Sequence, residues 1–162
     1  MIEIKTVSKG AELISVKLNG FEKMHDGESF WNRHAPVLFP IVGKLKDGKT
    51  IIDGKEYEMG QHGFARDLEF EAITKLDNFQ QYVLRSNNYT LARFPYSFEL
   101  YTTYKCDKNV LTFEYKVVNS GYTNMPFSIG GHPAFKIDQD DMKRGNYYLE
   151  FADEEPAKVM DI

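Results

Sequence analysis

Residues 96–118 read YSFELYTTYKCDKNVLTFEYKVV, and their pattern decides the fold. The segments 96–106 and 110–118 are rich in β-branched and aromatic residues, which suit a pleated, half-buried surface. In the second segment Leu111, Phe113, Tyr115 and Val117 recur at every other position and line one face, the period of a strand rather than a helix. The Asp-Lys-Asn cluster at 107–109 separates the two as a turn.

The same reading extends in both directions. ISVKL at 14–18 alternates Ile14, Val16 and Leu18, meets Asn19-Gly20 and continues as FEKMH. Asn-Gly is a strong hairpin signal, because a type I′ turn needs positive φ at both central residues. KTIIDGKEYEM at 49–59 repeats the device with Asp53-Gly54. LEFEAI, QYVLRS and, late in the chain, YYLEF at 147–151 also read as strands. One turn or two of helix is expected near NNYTLARF at 87–94, ended by Pro95. No repeat, low-complexity linker or domain boundary interrupts the series. The expected fold is an all-β antiparallel β-sandwich, one domain over residues 1–162.

Composition narrows the function. At 162 residues, 42% hydrophobic and 14% aromatic, the chain can bury a core. A net charge of −4 with dispersed acidic residues argues against nucleic acid, which needs a basic surface. The first ten residues hold no apolar signal core, and no stretch is long and apolar enough for a bilayer-spanning helix. Cys106 is the single cysteine, so no internal disulfide is possible. A cytoplasmic location, with no membrane partner, is the expectation.

Four histidines, His25, His34, His62 and His132, are the chemical candidates. None forms an H-x-H or H-x-x-x-H pair and no cysteine lies near, so no metal site is expected. Ser128 lies near His132, but SIGG lacks the strand-to-helix context of a nucleophile elbow. Cys106 sits mid-strand, where an inert thiol is the default. His62, in GQHGFARD, and His132, in SIGGHPAF, are each flanked by glycine at a strand end. One such histidine reads as a loop residue making a backbone hydrogen bond. Two shift the balance toward catalysis, because catalytic groups sit on loops of rigid sheets and imidazole exchanges protons near neutral pH. Arg66 follows His62 by four residues, close enough to face the same cleft. Upstream, WNRHAPVLFPIVGKLKDG at 31–48 offers Trp31, Arg33, His34, Gly43 and Lys44 around an apolar run between Pro36 and Pro40. This stretch reads equally as a buried strand with a charged flank or as the wall of a sugar cleft, with a ring to stack on a sugar face and cations for hydroxyls.

Three motifs, APVLFPIVGKLKDG, QHGFARDLEF and PFSIGGHPAF, in this order and spacing, resemble the aldose 1-epimerases (galactose mutarotases), most closely their LacX-like branch. The likeness runs from the first strands to YYLEF. It implies a β-supersandwich with a sugar cleft, and cofactor-free interconversion of the α and β anomers of an aldose by general acid–base ring opening and closing. It implies His132 as general acid, His62 as its catalytic partner near the ring oxygen, and Lys44 as a substrate-binding residue. Arg66 also recurs in relatives acting on hexose 6-phosphates, so a phosphorylated sugar is an alternative substrate. Trp31 and Arg33 join the expected substrate-binding surface. The family's general base is a glutamate far toward the C-terminus. Glu150, Glu154 and Glu155 stand in the wrong context for it. The expectation is therefore the N-terminal part of a mutarotase sandwich, truncated on its C-terminal side and weak in catalysis. Exposed sheet edges would then favour self-association. A carbohydrate-binding module without catalysis and a purely structural interaction domain are the competing readings.

Overall fold

The computed structural model describes residues 1–148, 150, 152 and 153. Eleven strands follow in chain order: β1 (Ile2–Thr6), β2 (Leu13–Leu18), β3 (Phe21–Glu22), β4 (Val37–Leu38), β5 (Lys49–Ile52), β6 (Lys55–Glu58), β7 (Glu71–Leu76), β8 (Phe79–Arg85), β9 (Phe98–Asp107), β10 (Val110–Asn119) and β11 (Gly130–Gly131). Their pairing is antiparallel, in sheets β1-β2-β3, β10-β9-β8-β7, β11-β4 and β5-β6. This is the all-β antiparallel β-sandwich expected from the alternation.

The turns form as their residues dictate. Asn19 and Gly20 have φ of 52° and 82°, and Asp53 and Gly54 of 49° and 78°, the left-handed pairs of two-residue hairpins. The helix α1 (Asn88–Leu91) starts at a capping box. The Asn87 side chain accepts from the Tyr89 and Thr90 N–H groups, and the Thr90 hydroxyl accepts from Asn87 N–H. A second short helix, α2 (Gln139–Lys143), was not expected. The Asp138 carboxylate begins it by accepting the Asp140 N–H at 2.9 Å. The strand expected at 147–151 is corrected where it can be seen. Tyr147, Tyr148 and Glu150 are outside any strand, and Leu149 and Phe151 lie outside the described residues, as do Glu154 and Glu155.

The four-stranded sheet is the platform. Register places Leu84 beside Leu100 and Leu100 beside Val117, and Tyr82, Thr102 and Tyr115 form the next row on the same face. That face packs against Val37, Phe39, Phe64 and Phe94. A second cluster, Leu13, Val16, Met24 and Ala35, closes over Tyr104. The Tyr104 hydroxyl donates to the Ala11 carbonyl at 2.7 Å, and the Thr6 hydroxyl joins Gln80 and Tyr82 across the same interior. Both bury polar atoms with partners, as a dry core requires. Of the alternating row Leu111, Phe113, Tyr115 and Val117, all four are only half-buried, since β10 is a sheet edge.

The segment 35–40 is buried throughout, because it pairs on both sides. On one side the N–H groups of Ser128, His132 and Ala134 donate to the carbonyls of Pro40, Pro36 and His34 at 2.8, 3.1 and 2.7 Å. Together with the Gly130–Leu38 register, this is one antiparallel ladder from 34 to 40. Only two residues on each side count as strand, because Pro36 and Pro40 accept but cannot return the bond. On the other side the Phe39 carbonyl accepts from Phe64 and Ala65 at 3.1 and 3.2 Å. Phe39 meets Gly63 in a parallel bridge. One buried segment therefore carries the chain leading to both His132 and His62.

The approach at Gly63 tolerates no side chain. A Cβ there would lie 2.2 Å from the Phe39 carbonyl oxygen, and φ is +73°. Gly63→Ala should cost about 2 kcal/mol or more in urea unfolding. Gly54→Ala, also at positive φ but with open space around it, should cost only about 1 kcal/mol. Equal losses at the two positions would refute the close-approach argument.

Candidate active site

His62 lies in a turn closed by the Gly63 N–H to the Gly60 carbonyl at 3.1 Å. Its own φ is +64°, a conformation a non-glycine residue holds only against strain. Gly43 supplies the restraint twice. The His62 N–H donates to the Gly43 carbonyl at 2.7 Å, and the Gly43 N–H donates to His62 Nδ1 at 2.9 Å. An N–H only donates, so Nδ1 is bare and the neutral ring carries its proton on Nε2. The Gln61 amide lies 3.4 Å from Nε2. The fixed tautomer leaves Nε2–H as a hydrogen-bond donor.

His132 arrives from the other flank. Its backbone is held by Pro36, and its exposed ring stands 6.2 Å from that of His62, centroid to centroid and edge-on at 63°. The Trp31 ring packs against it at 4.9 Å, tilted by 45°. Beneath, Gly131 rests on β10, where a Cβ would come within 3.1 Å of the Tyr115 hydroxyl. A cavity of about 190 Å³ between Ala35, Phe113, Tyr115, Gly131, His132 and Pro133 lies under the imidazole. Burial pushes the Tyr115 phenol up to about 12, so it stays neutral.

Electrostatics separate the charged candidates. Burial first, then the positive Arg66 and the neighbouring His132, hold the His62 pKa below the ordinary value. The Arg66 guanidinium donates to the Gln61 carbonyl at 2.8 Å, while its buried Nε lies 3.8 Å from the Asp67 carboxylate and has no hydrogen-bond partner among the described residues. Arg33 is engaged by Asp67 at 2.7 Å. Lys44 stands exposed, one residue beyond the Gly43 clamp, with no hydrogen bond or ion pair among the described residues. The six sequence-expected residues thus divide. Trp31, His62 and His132 converge. Arg66 approaches His62 through Gln61. Arg33 is tied to Asp67, and Lys44 is adjacent in the chain.

Gly43, Gln61 and Asp67 are partners that sequence reasoning missed. Gly43 acts across 19 residues and carries no side chain to advertise it. Among the described residues no group of His, Cys, Asp and Glu is arranged to hold a metal, and no helix is long and apolar enough to cross a membrane. Cys106, half-buried, has its thiol pKa raised by burial. Hollows of about 690 Å³ beside Cys106 and about 500 Å³ beside His25 and Phe135 contain neither His62 nor His132. The two imidazoles converge away from both hollows.

Residues 2–159 match the aldose 1-epimerase family model, and the chain belongs to that family. It is 30% identical over 167 residues to the plasmid-encoded protein LacX of Lactococcus lactis subsp. lactis, covering 98% of this chain and 55% of that protein. Among crystal structures, a galactose mutarotase related enzyme from Lactobacillus acidophilus is similar with a TM-score of 0.83 at 39% identity, covering 86% of this chain and 48% of that one. A galactose mutarotase-like protein from Lactobacillus casei ATCC 334 gives 0.80 at 37% identity, over 86% and 49%. The chain therefore spans about half the length of these relatives.

The lowered pKa has a measurable consequence. Unfolded His62 takes up its proton near the ordinary 6.5, and folded His62 only at lower pH. Its contribution to stability is thus unchanged above about pH 6.5 and declines as pH falls from there toward the lowered folded value. Histidine-resolved NMR should find His62 as the Nε2–H tautomer, titrating below 6.5, and Arg66→Met should raise that midpoint. A midpoint at or above the ordinary value, or an Nδ1–H tautomer, would contradict the geometry.

Proposed function

We propose that this chain binds a free aldose across the His62–His132 pair and carries the acid side of anomer interconversion. The observation that carries the reading is the 6.2 Å face of two differently conditioned imidazoles. His62 is clamped as a neutral Nε2–H donor, and His132 is solvent-exposed on a rigid backbone. Anomer exchange needs a proton delivered to the ring oxygen and another removed from the C1 hydroxyl. The C1–O bond then opens, the C1–C2 bond rotates, and closure occurs on the opposite face. His132 delivers the ring-oxygen proton and His62 Nε2–H hydrogen-bonds the same oxygen as charge shifts onto it. Trp31 offers the apolar surface on which a sugar face stacks, and Lys44 and Arg66 supply hydroxyl-binding cations at its rim.

No carboxylate contacts either imidazole among the described residues, and none of the glutamates matches the family's base. In this proposal the chain lowers the barrier through the acid alone, and solvent water takes the C1-hydroxyl proton as the bond between C1 and the ring oxygen breaks, forfeiting about 10²–10⁴-fold relative to a site with both groups. Polarimetry of freshly dissolved α-galactose tests this. The chain should accelerate mutarotation weakly, and His132→Ala should remove that acceleration. Binding by calorimetry without any acceleration would assign a carbohydrate-binding module instead. Neither binding nor acceleration would overturn the proposal.

One observation favours a second substrate, a hexose 6-phosphate. The buried Arg66 Nε has no hydrogen-bond partner among the described residues, its nearest carboxylate being Asp67 at 3.8 Å, and the fork of a guanidinium suits a phosphate. Calorimetry should then give tighter binding for galactose 6-phosphate than for galactose, with the difference abolished in Arg66→Met. Equal affinities would leave the free sugar as the substrate.

A further inference from the structure

A third histidine binds the site from behind. His25 is buried, with 8% of its surface exposed. Its N–H donates to the Ala134 carbonyl at 2.9 Å, two residues beyond His132. Its ring Nε2 lies 2.9 Å from the Trp31 carbonyl. A carbonyl only accepts, so Nε2 carries a proton and donates. One residue thus joins the two: its backbone N–H holds the chain that carries His132, and its ring holds the backbone of Trp31, whose own ring packs on His132. Loop 25–34 between them is closed by further contacts. The Asp26 carboxylate accepts from the Ser29 hydroxyl and from the N–H groups of Glu28 and Ser29. Gly27 lies flat on the His34 imidazole, with no room for a Cβ at 2.3 Å from its Cε1. Glu12 accepts from the His34 and Ala35 N–H groups at 2.6 and 3.0 Å. Phe30 covers the His25 ring at 4.4 Å.

We propose that His25 is a positioning residue that sets the Trp31–His132 contact through the Trp31 carbonyl. Its catalytic relevance rests on the proposed role of His132; its structural part does not. Without the donated hydrogen bond, the Trp31 backbone keeps no other hydrogen bond among the described residues, and the next tie to the chain that carries His132 is three residues on, at the His34 carbonyl. The indole is then free to leave the imidazole, and the acid loses both its stacking partner and the surface beside it.

Trp31 is the only tryptophan in the chain, so its ring current on His132 is a clean reporter. In histidine-labelled protein the His132 ring protons, assigned from the signal missing in His132→Gln, should be displaced upfield, and Trp31→Leu should erase that displacement. Glutamine places its amide nitrogen near the Nε2 position, whereas asparagine places it nearer Nδ1 and falls short of the Trp31 carbonyl. His25→Gln should therefore keep the upfield shift and His25→Asn should lose it. A merely space-filling role predicts the same spectrum for both variants. Retention of the shift in His25→Asn, or its loss in both polar variants while the fold melts cooperatively, would overturn the proposal. So would the absence of a Trp31-dependent shift in the unmodified chain. Polarimetry reads separately. A shift that behaves as expected in a chain without mutarotation would leave the brace standing and remove only its catalytic meaning.

Discussion

The two-sided pairing of residues 35–40 is the constraint on which the site depends. A segment bonded on both edges cannot slide by one residue without turning every side chain to the wrong face. Its outer ladder sets the register of Gly130, Gly131 and His132, and its inner edge receives Phe64 and Ala65 through one carbonyl, that of Phe39. Each backbone hydrogen bond contributes only about 1 kcal/mol net. The burial of Val37 and Phe39 against the four-stranded sheet adds about 1.5–3 kcal/mol for each side chain removed from water. Packing therefore supplies most of the stability, and the hydrogen bonds supply position. Two histidines 70 residues apart in the chain reach a 6.2 Å separation because both are referred to the same rigid strip.

Position then determines protonation. His62 is held by Gly43 through both the backbone and the ring, which fixes the tautomer as well as the direction. Burial outweighs all other influences on that imidazole, and Arg66 pushes in the same direction. The positive φ of His62 is the conformational cost of presenting the ring from so tight a turn, and the paired bonds to Gly43 offset it. Gly63 serves the same end by removing the one atom that would force the loop off Phe39. The glycines around the two histidines are thus explained by different contacts. Gly63 is pressed on a carbonyl, and Gly131 on a phenol.

Much of this was legible in the sequence. Alternation in 110–118 and the Asn-Gly and Asp-Gly pairs are local signals, and they specify β10 and the hairpins β2–β3 and β5–β6 directly. Pro95 likewise limits the short helix expected near 87–94, while the Asn87 cap emerged only in the structure. Of the two readings of 31–48, the buried strand is what the fold shows at 35–40, and its flanks lead to Trp31 and Gly43. What was not legible depends on contacts made across the fold. Arg33 and Trp31 are two residues apart, yet Arg33 turns to Asp67 while Trp31 packs on His132. Nothing in WNRH distinguishes their destinations. The Gly43 clamp involves no side chain of its own, so no motif could announce it. The short helix α2 rests on a single carboxylate cap in a stretch whose charge and polarity read as loop.

The central claim is that His62 and His132 face one sugar. It is tested most directly by titrating galactose into histidine-labelled protein and following each imidazole by NMR. The account predicts that the ring signals of His62 and His132 move together along one binding curve, while His34, set behind the loop against Gly27, does not follow them. Movement of one of the pair alone, or of the two with different midpoints, would contradict it.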